Sequence, residues 1–155
     1  MPYAISQRIL DEKAILERTL SQFNLHRIGN EWCFIGWQTA SIRNWKFQLK
    51  LPLPKYYPDQ MPQLYVTVPT VLNKCGGGGT INEMECSHSF HTGRRGPQGC
   101  VTICHYKESI WDASHTCFGI FTKGIVWIEA YASHLVTGRT IADILDEFAK
   151  NQARS

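Results

Sequence analysis

Long apolar runs are missing from this 155-residue sequence. Nothing in it approaches the roughly twenty consecutive apolar residues that cross a bilayer. The amino terminus also lacks the basic-then-apolar order of a secretory leader, because Asp11, Glu12 and Lys13 interrupt it early. Charge of one sign is scarce. Sixteen Lys and Arg against thirteen Asp and Glu leave +3, too small an excess to imply nucleic acid. No Cys-x2-Cys pair occurs, so the commonest zinc-ligand spacing is absent. The glycine run at residues 76–79 is not followed by the lysine and serine or threonine of a phosphate-binding loop. These absences predict a soluble, cytoplasmic protein, with neither a membrane nor direct nucleic acid among its partners.

What is present fits one folded domain over residues 1–155. Hydrophobic residues make up 43% of the chain and charged residues 19%, the balance of a globular core, not of a disordered segment. Six cysteines are more than usual. Without an export leader they read as reduced and mostly packed thiols, Cys33 between Trp32 and Phe34 being the clearest case.

Hydrophobic spacing predicts the elements. Ile5, Ile9, Leu10, Ile15, Leu16, Leu20 and Phe23 make one apolar face of a helix over residues 5–23, ended by Asn24 or by residues 27–30. Two strands follow, at about residues 31–38 and 43–52. The second alternates Trp45, Phe47, Leu49 and Leu51 against Lys46, Gln48 and Lys50. The run Leu51-Pro52-Leu53-Pro54-Lys55-Tyr56-Tyr57-Pro58 reads as a stiff extended crossing, since proline lacks the donor a helix or central strand needs. A third strand at residues 63–68 completes the evidence for a sheet, all of it before residue 70. Residues 74–99 are a long glycine-punctuated loop. Phe118, Phe121, Ile125, Ile128, Tyr131 and Leu135 then predict a helix stopped at Gly138. Thr140 and Asp143 resemble a capping box for a final helix that packs through Ile141, Ile144, Leu145 and Phe148. The expected fold class is α+β: an N-terminal helix, an antiparallel β-meander, a long active-site loop and C-terminal helices.

The chemistry concentrates around Cys100-Val101-Thr102-Ile103-Cys104-His105-Tyr106. Cys104 ends a short β-prone run, where a thiol is a candidate nucleophile that accepts an acyl group as a thioester. Cys100 is its competitor. The rival chemistry is a metal site, because Cys86, His88, His91, Cys100 and Cys104 supply zinc-type donors within nineteen residues. Zinc on Cys104 would block acyl transfer, whereas a structural site on Cys86, His88 or His91 and Cys100 would leave it free. Arg94 and Arg95 make a small basic spot nearby, suited either to an acidic partner surface or simply to solvent.

These residues resemble those of ubiquitin-conjugating enzymes. Leu51-Pro52, Tyr56-Tyr57-Pro58 and Met61-Pro62 are similar to that family's proline-rich passage. Ile103-Cys104, with Trp111 seven residues on, is similar to its active-site segment. Trp127-x3-Tyr131-x5-Thr137-Gly138 resembles more closely the bacterial E2-like proteins of antiviral defence operons. The His-Pro-Asn tripeptide of most eukaryotic members is missing, and Val101 stands where a glycine is usual. The resemblance implies the ubiquitin-conjugating-enzyme fold and a carrier that takes a protein's C-terminus from an E1-like activating enzyme and hands it to an acceptor amine. The transferred protein would be ubiquitin-like or a cyclic-oligonucleotide synthase. No cofactor is implied, since ATP is consumed by the activating enzyme.

Helper residues follow from that reading. His91 is placed to stabilise an oxyanion or orient the amine, or else is a solvent-facing loop residue. His105 should point to the opposite strand face from Cys104. Asp112, Ser114 and His115 lie where the loop after the cysteine should return, suited to acceptor deprotonation or to ordinary turn and cap roles. Trp111 reads as a packing anchor. The alternatives are a catalytically inactive adaptor of the same fold and a zinc-stabilised protein-binding module.

Overall fold

The computed structural model describes residues 5–154. Helix α1 runs Gln7–Thr19, with Ser6 accepting the Ile9 N–H at 3.2 Å as its N-cap. It is shorter than the expected 5–23. Leu20 leaves helical geometry, and Phe23 instead fills the core from a turn, stacking on Phe121 with ring centroids 4.0 Å apart. An apolar residue in register with a helix had therefore been fixed by packing beyond the helix.

A five-stranded antiparallel sheet follows in the order β1-β2-β3-β4-β5. Strand β1 (Asn24–Ile28) lies in the segment expected to end the helix. It pairs with β2 (Glu31–Thr39) through a tight turn in which Gly29 takes φ +61°, a conformation that favours glycine. Strand β3 (Lys46–Leu53) buries Phe47, Leu49, Leu51 and Leu53, as the alternation required. It takes in the first three residues of the proline passage. Pairing with β4 (Leu64–Val68) stops at Lys50↔Tyr65, so Pro52 is opposed only by Cys33 of β2. The proline sits where the ladder already has a free flank.

The sheet does not end before residue 70. Strand β5 (Val101–Ile103) pairs with β4, Leu64↔Ile103 and Val66↔Val101, and all three of its residues are buried. Three buried residues have no alternation to betray them.

Helix α2 (Cys117–Thr137) crosses one face of the sheet. A Cβ at Gly124 would stand 2.5 Å from Leu64 Cδ2, so a larger residue at this approach to β3 and β4 would make the Leu64 side chain shift. Phe121, Trp127, Ile128 and Tyr131 are buried, while Phe118 is on the exposed side and Ile125 only partly covered. The packing face is thus rotated toward Ile120, Gly124 and Trp127. Gly138 caps the helix at φ +77°, donating to the His134 carbonyl at 2.8 Å. Helix α3 (Ile141–Arg154) begins where Thr140 accepts the Asp143 N–H at 3.2 Å. The architecture is α+β with flanking helices, as expected. Among the described residues no helix is long and apolar enough to cross a membrane.

Residues 70–100 are held by side chains bonding to backbone. Asn82 donates to the carbonyls of Thr70 (2.7 Å) and Gly99 (2.8 Å) and accepts the Leu72 N–H (2.9 Å). The Trp127 indole donates to the Phe90 carbonyl at 2.9 Å, and the Ala142 N–H to that of Ser89. Asn82 thereby closes the loop on itself, and Phe90 and Ser89 fix it to the C-terminal helices.

Candidate active site

Cys104 is the first residue after β5, and it is exposed. Its own N–H donates to the His91 carbonyl at 3.0 Å, and the Gly93 N–H donates to the Thr102 carbonyl at 2.9 Å. Residues 91–93 therefore run beside β5 as a short outer rail, which fixes the backbone that presents the thiol. A cleft of about 520 Å³ opens here, lined by Cys104 with Met61, Gln63, Tyr65, Arg94, Lys107 and others.

The remaining cysteines divide by burial. Cys33, Cys100 and Cys117 are buried, Cys75 is half-buried, and Cys86 is exposed in the loop. Burial pushes the Cys100 thiol above its ordinary range, disfavouring the thiolate that a nucleophile needs. Its sulfur lies under Gly96, beside Tyr65. The competitor to Cys104 is thus a packed residue.

Of the four candidate catalytic residues, Cys104 is the one that lines this cleft. His91 reaches Cys104 through its carbonyl, while its imidazole lies 5.6 Å from that of His88. Partial burial, then His88, lower its pKa. His91 takes φ +49°, a strained value for a residue with a Cβ, and the turn it forms delivers that carbonyl to Cys104. Asp112 and His115 form a second group. The Asp112 carboxylate accepts the Ser114 N–H at 2.8 Å and is also bonded by the Ser114 hydroxyl. These bonds hold its pKa below the usual range and make it a weak base. The His115 ring lies 5.1 Å from Trp111 and 4.4 Å from Tyr106.

His105 is fixed at both ring nitrogens. Nε2 donates to the Pro62 carbonyl at 2.9 Å, and Nδ1 accepts the Tyr106 N–H at 2.7 Å. Burial drives its pKa down to about 4, so it is a neutral brace between the cysteine segment and the proline passage. Trp111 is the anchor expected of it, its indole donating to the Pro58 carbonyl at 2.9 Å.

The sequence did not mark the residues that hold the loop after the cysteine. Arg8 looked like an ordinary surface charge. In the structure its guanidinium donates to the carbonyls of Ala113 (2.8 Å) and His115 (2.7 Å) and pairs with Glu12 at 3.0 Å. Glu12 is only 2% exposed, and it accepts the Cys117 N–H at 2.6 Å at the start of α2. A carboxylate at a helix N-terminus is well placed. Glu12 disturbs the apolar face of α1, and a charged residue on such a face was the available signal.

The metal-type donors do not converge. Among the described residues, no group of three or more His, Cys, Asp or Glu is arranged to hold a metal ion. Cys100 is buried under Gly96 near Tyr65, and the rings of His88 and His91 lie 5.6 Å from each other. Side-chain bonds such as those of Asn82 organise the loop instead.

No family model matches the chain, and no curated protein or solved structure is similar enough to match it.

Proposed function

We propose that this chain is an E2-like thioester carrier with Cys104 as its nucleophile. The observation that carries the reading is the exposed thiol at the open end of β5, within a cleft, beside cysteines that are mostly buried. The element order and the proline passage beside the cleft accord with the ubiquitin-conjugating-enzyme resemblance, and the helix motif with its antiviral-defence branch.

The chemistry balances without a cofactor. The Cys104 thiolate attacks the thioester carbonyl on an activating enzyme, whose cysteine leaves as thiolate. An acceptor amine then attacks the new thioester, Cys104 is expelled as thiolate, and the amine nitrogen releases one proton as the amide forms. The transferred group is the C-terminus of a ubiquitin-like protein or of a cyclic-oligonucleotide synthase. The rail at residues 91–93 sets the position of Cys104. His91, Asp112 and His115 act by approach of a bound partner or by shaping the loops.

Site-resolved thiol alkylation near pH 7, read by peptide mass spectrometry with and without a zinc chelator, tests this. Rapid, chelator-independent labelling of Cys104 is expected, with Cys33, Cys100 and Cys117 protected. Labelling of Cys104 that needs the chelator would sink the nucleophile.

A further inference from the structure

The lining of the Cys104 cleft narrows what the thiol can carry, if it is a carrier. Arg94, Arg95 and Lys107 line the cleft against a single carboxylate, Glu108. Arg95 is committed elsewhere, since its guanidinium donates to the Asn82 carbonyl at 3.1 and 2.9 Å. Arg94 and Lys107 are exposed, and neither enters a salt bridge among the described residues. One precedes β5 and the other follows it, so free positive charge reaches the cleft from both segments that adjoin the thiol.

The neighbouring cleft has the opposite sign. It holds about 500 Å³ and is lined by Glu31, Asp59 and Glu108, with no lysine or arginine among the described residues. It shares Met61, Gln63, Tyr65 and Glu108 with the Cys104 cleft. A change of sign over such a short path orients a bound chain as well as attracting it. A separate observation also points to an occupant. Thr102 is 3% exposed, lines the Cys104 cleft, and has a hydroxyl with no hydrogen-bond partner among the described residues. Buried hydroxyls are nearly always paired, and a polar group entering the cleft would supply the missing partner.

We infer that the cleft takes an acidic chain end. The segment joined to the acyl group on Cys104 carries Asp or Glu, which Arg94 and Lys107 contact. This rests on the carrier reading but is separable from it.

Thiol–disulfide exchange with small charged probes separates the two. The full chain is treated with a dianionic aromatic disulfide, 5,5′-dithiobis(2-nitrobenzoate), and in parallel with dicationic cystamine. The Cys104 thiolate attacks one sulfur, a mixed disulfide forms and the other half leaves as thiolate. Adducts are quantified by peptide mass spectrometry, and each rate is normalised to that of the carboxylate-free thiol N-acetylcysteine amide. The expected result is a preference for the anionic probe of roughly fivefold at low salt, shrinking as ionic strength rises. Arg94→Glu with Lys107→Glu should abolish or reverse it, and both positions are exposed enough to leave the fold intact. Arg94→Lys should retain it. A reactive Cys104 without charge preference, or with a preference that survives the double substitution, overturns the inference and leaves the carrier reading standing. A Cys104 inert to both probes sinks the carrier reading and the inference with it.

Discussion

His105 shows how one side chain beside the proposed nucleophile is given a structural task. Its ring spans the Pro62 carbonyl and the Tyr106 N–H, an arrangement that requires the neutral tautomer with the proton on Nε2. Burial lowers its pKa from 6.5 to about 4. The unfolded chain therefore binds this proton more readily than the folded one, and stability falls as pH drops from about 6.5 toward 4. Above that window the contribution is fully present. The difference corresponds to about 3 kcal/mol. Chemical denaturation of wild type and His105→Gln across pH 4 to 7 should show a flatter profile for the variant. Identical profiles would mean that His105 does not titrate as its burial implies.

At the scale of elements, the latch from α1 matters most for the loop carrying Asp112 and His115. Removing Arg8 strands Glu12, a carboxylate 2% exposed, without its cation. Breaking such a pair from one side costs about 3 kcal/mol. Arg8→Ala should lower unfolding free energy by that order and speed amide exchange at residues 112–116. Adding Glu12→Gln should recover part of the stability, because an amide oxygen still accepts from Cys117. The exchange should stay fast, because the bonds to Ala113 and His115 remain lost. Full recovery of both would show that the ion pair, not the latch, held the loop. Only Glu12, a charge on the apolar face of α1, was legible in the sequence; the latch itself was not, because Arg8 and Glu12 look like a helix pair four apart. Their partners lie more than a hundred residues away. Strand β1 escaped notice for the opposite reason: its residues are mostly exposed, so no burial pattern is written into them and the pairing with β2 defines it. By contrast β3, Gly138 and Thr140 declared themselves, because alternation, a left-handed cap and an N-cap are local requirements.

Over the whole molecule, the balance between packing and loop chemistry decides how the thiol is presented. The sequence singled out Cys104 because a β-prone run, glycine-rich approach and following tryptophan are contiguous. It also raised a metal cluster, because donors close in sequence look close in space. Folding separates them: β5 buries Val101 and Ile103, the packing of Gly96 on Tyr65 carries Cys100 under the loop, and Cys104 is left at the cleft. The loop is then a hydrogen-bonded structure with Asn82 as its main tie. Replacing Asn82 with Ala removes three bonds to Thr70, Leu72 and Gly99, each contributing about 1 kcal/mol. Asn82→Ala should therefore lower the melting temperature and make Cys100 accessible to alkylation. A chelator should leave both unchanged in the wild type. If the chelator lowers the melting temperature and Asn82→Ala does not, a metal holds the loop, and the rail at residues 91–93 that positions Cys104 depends on it.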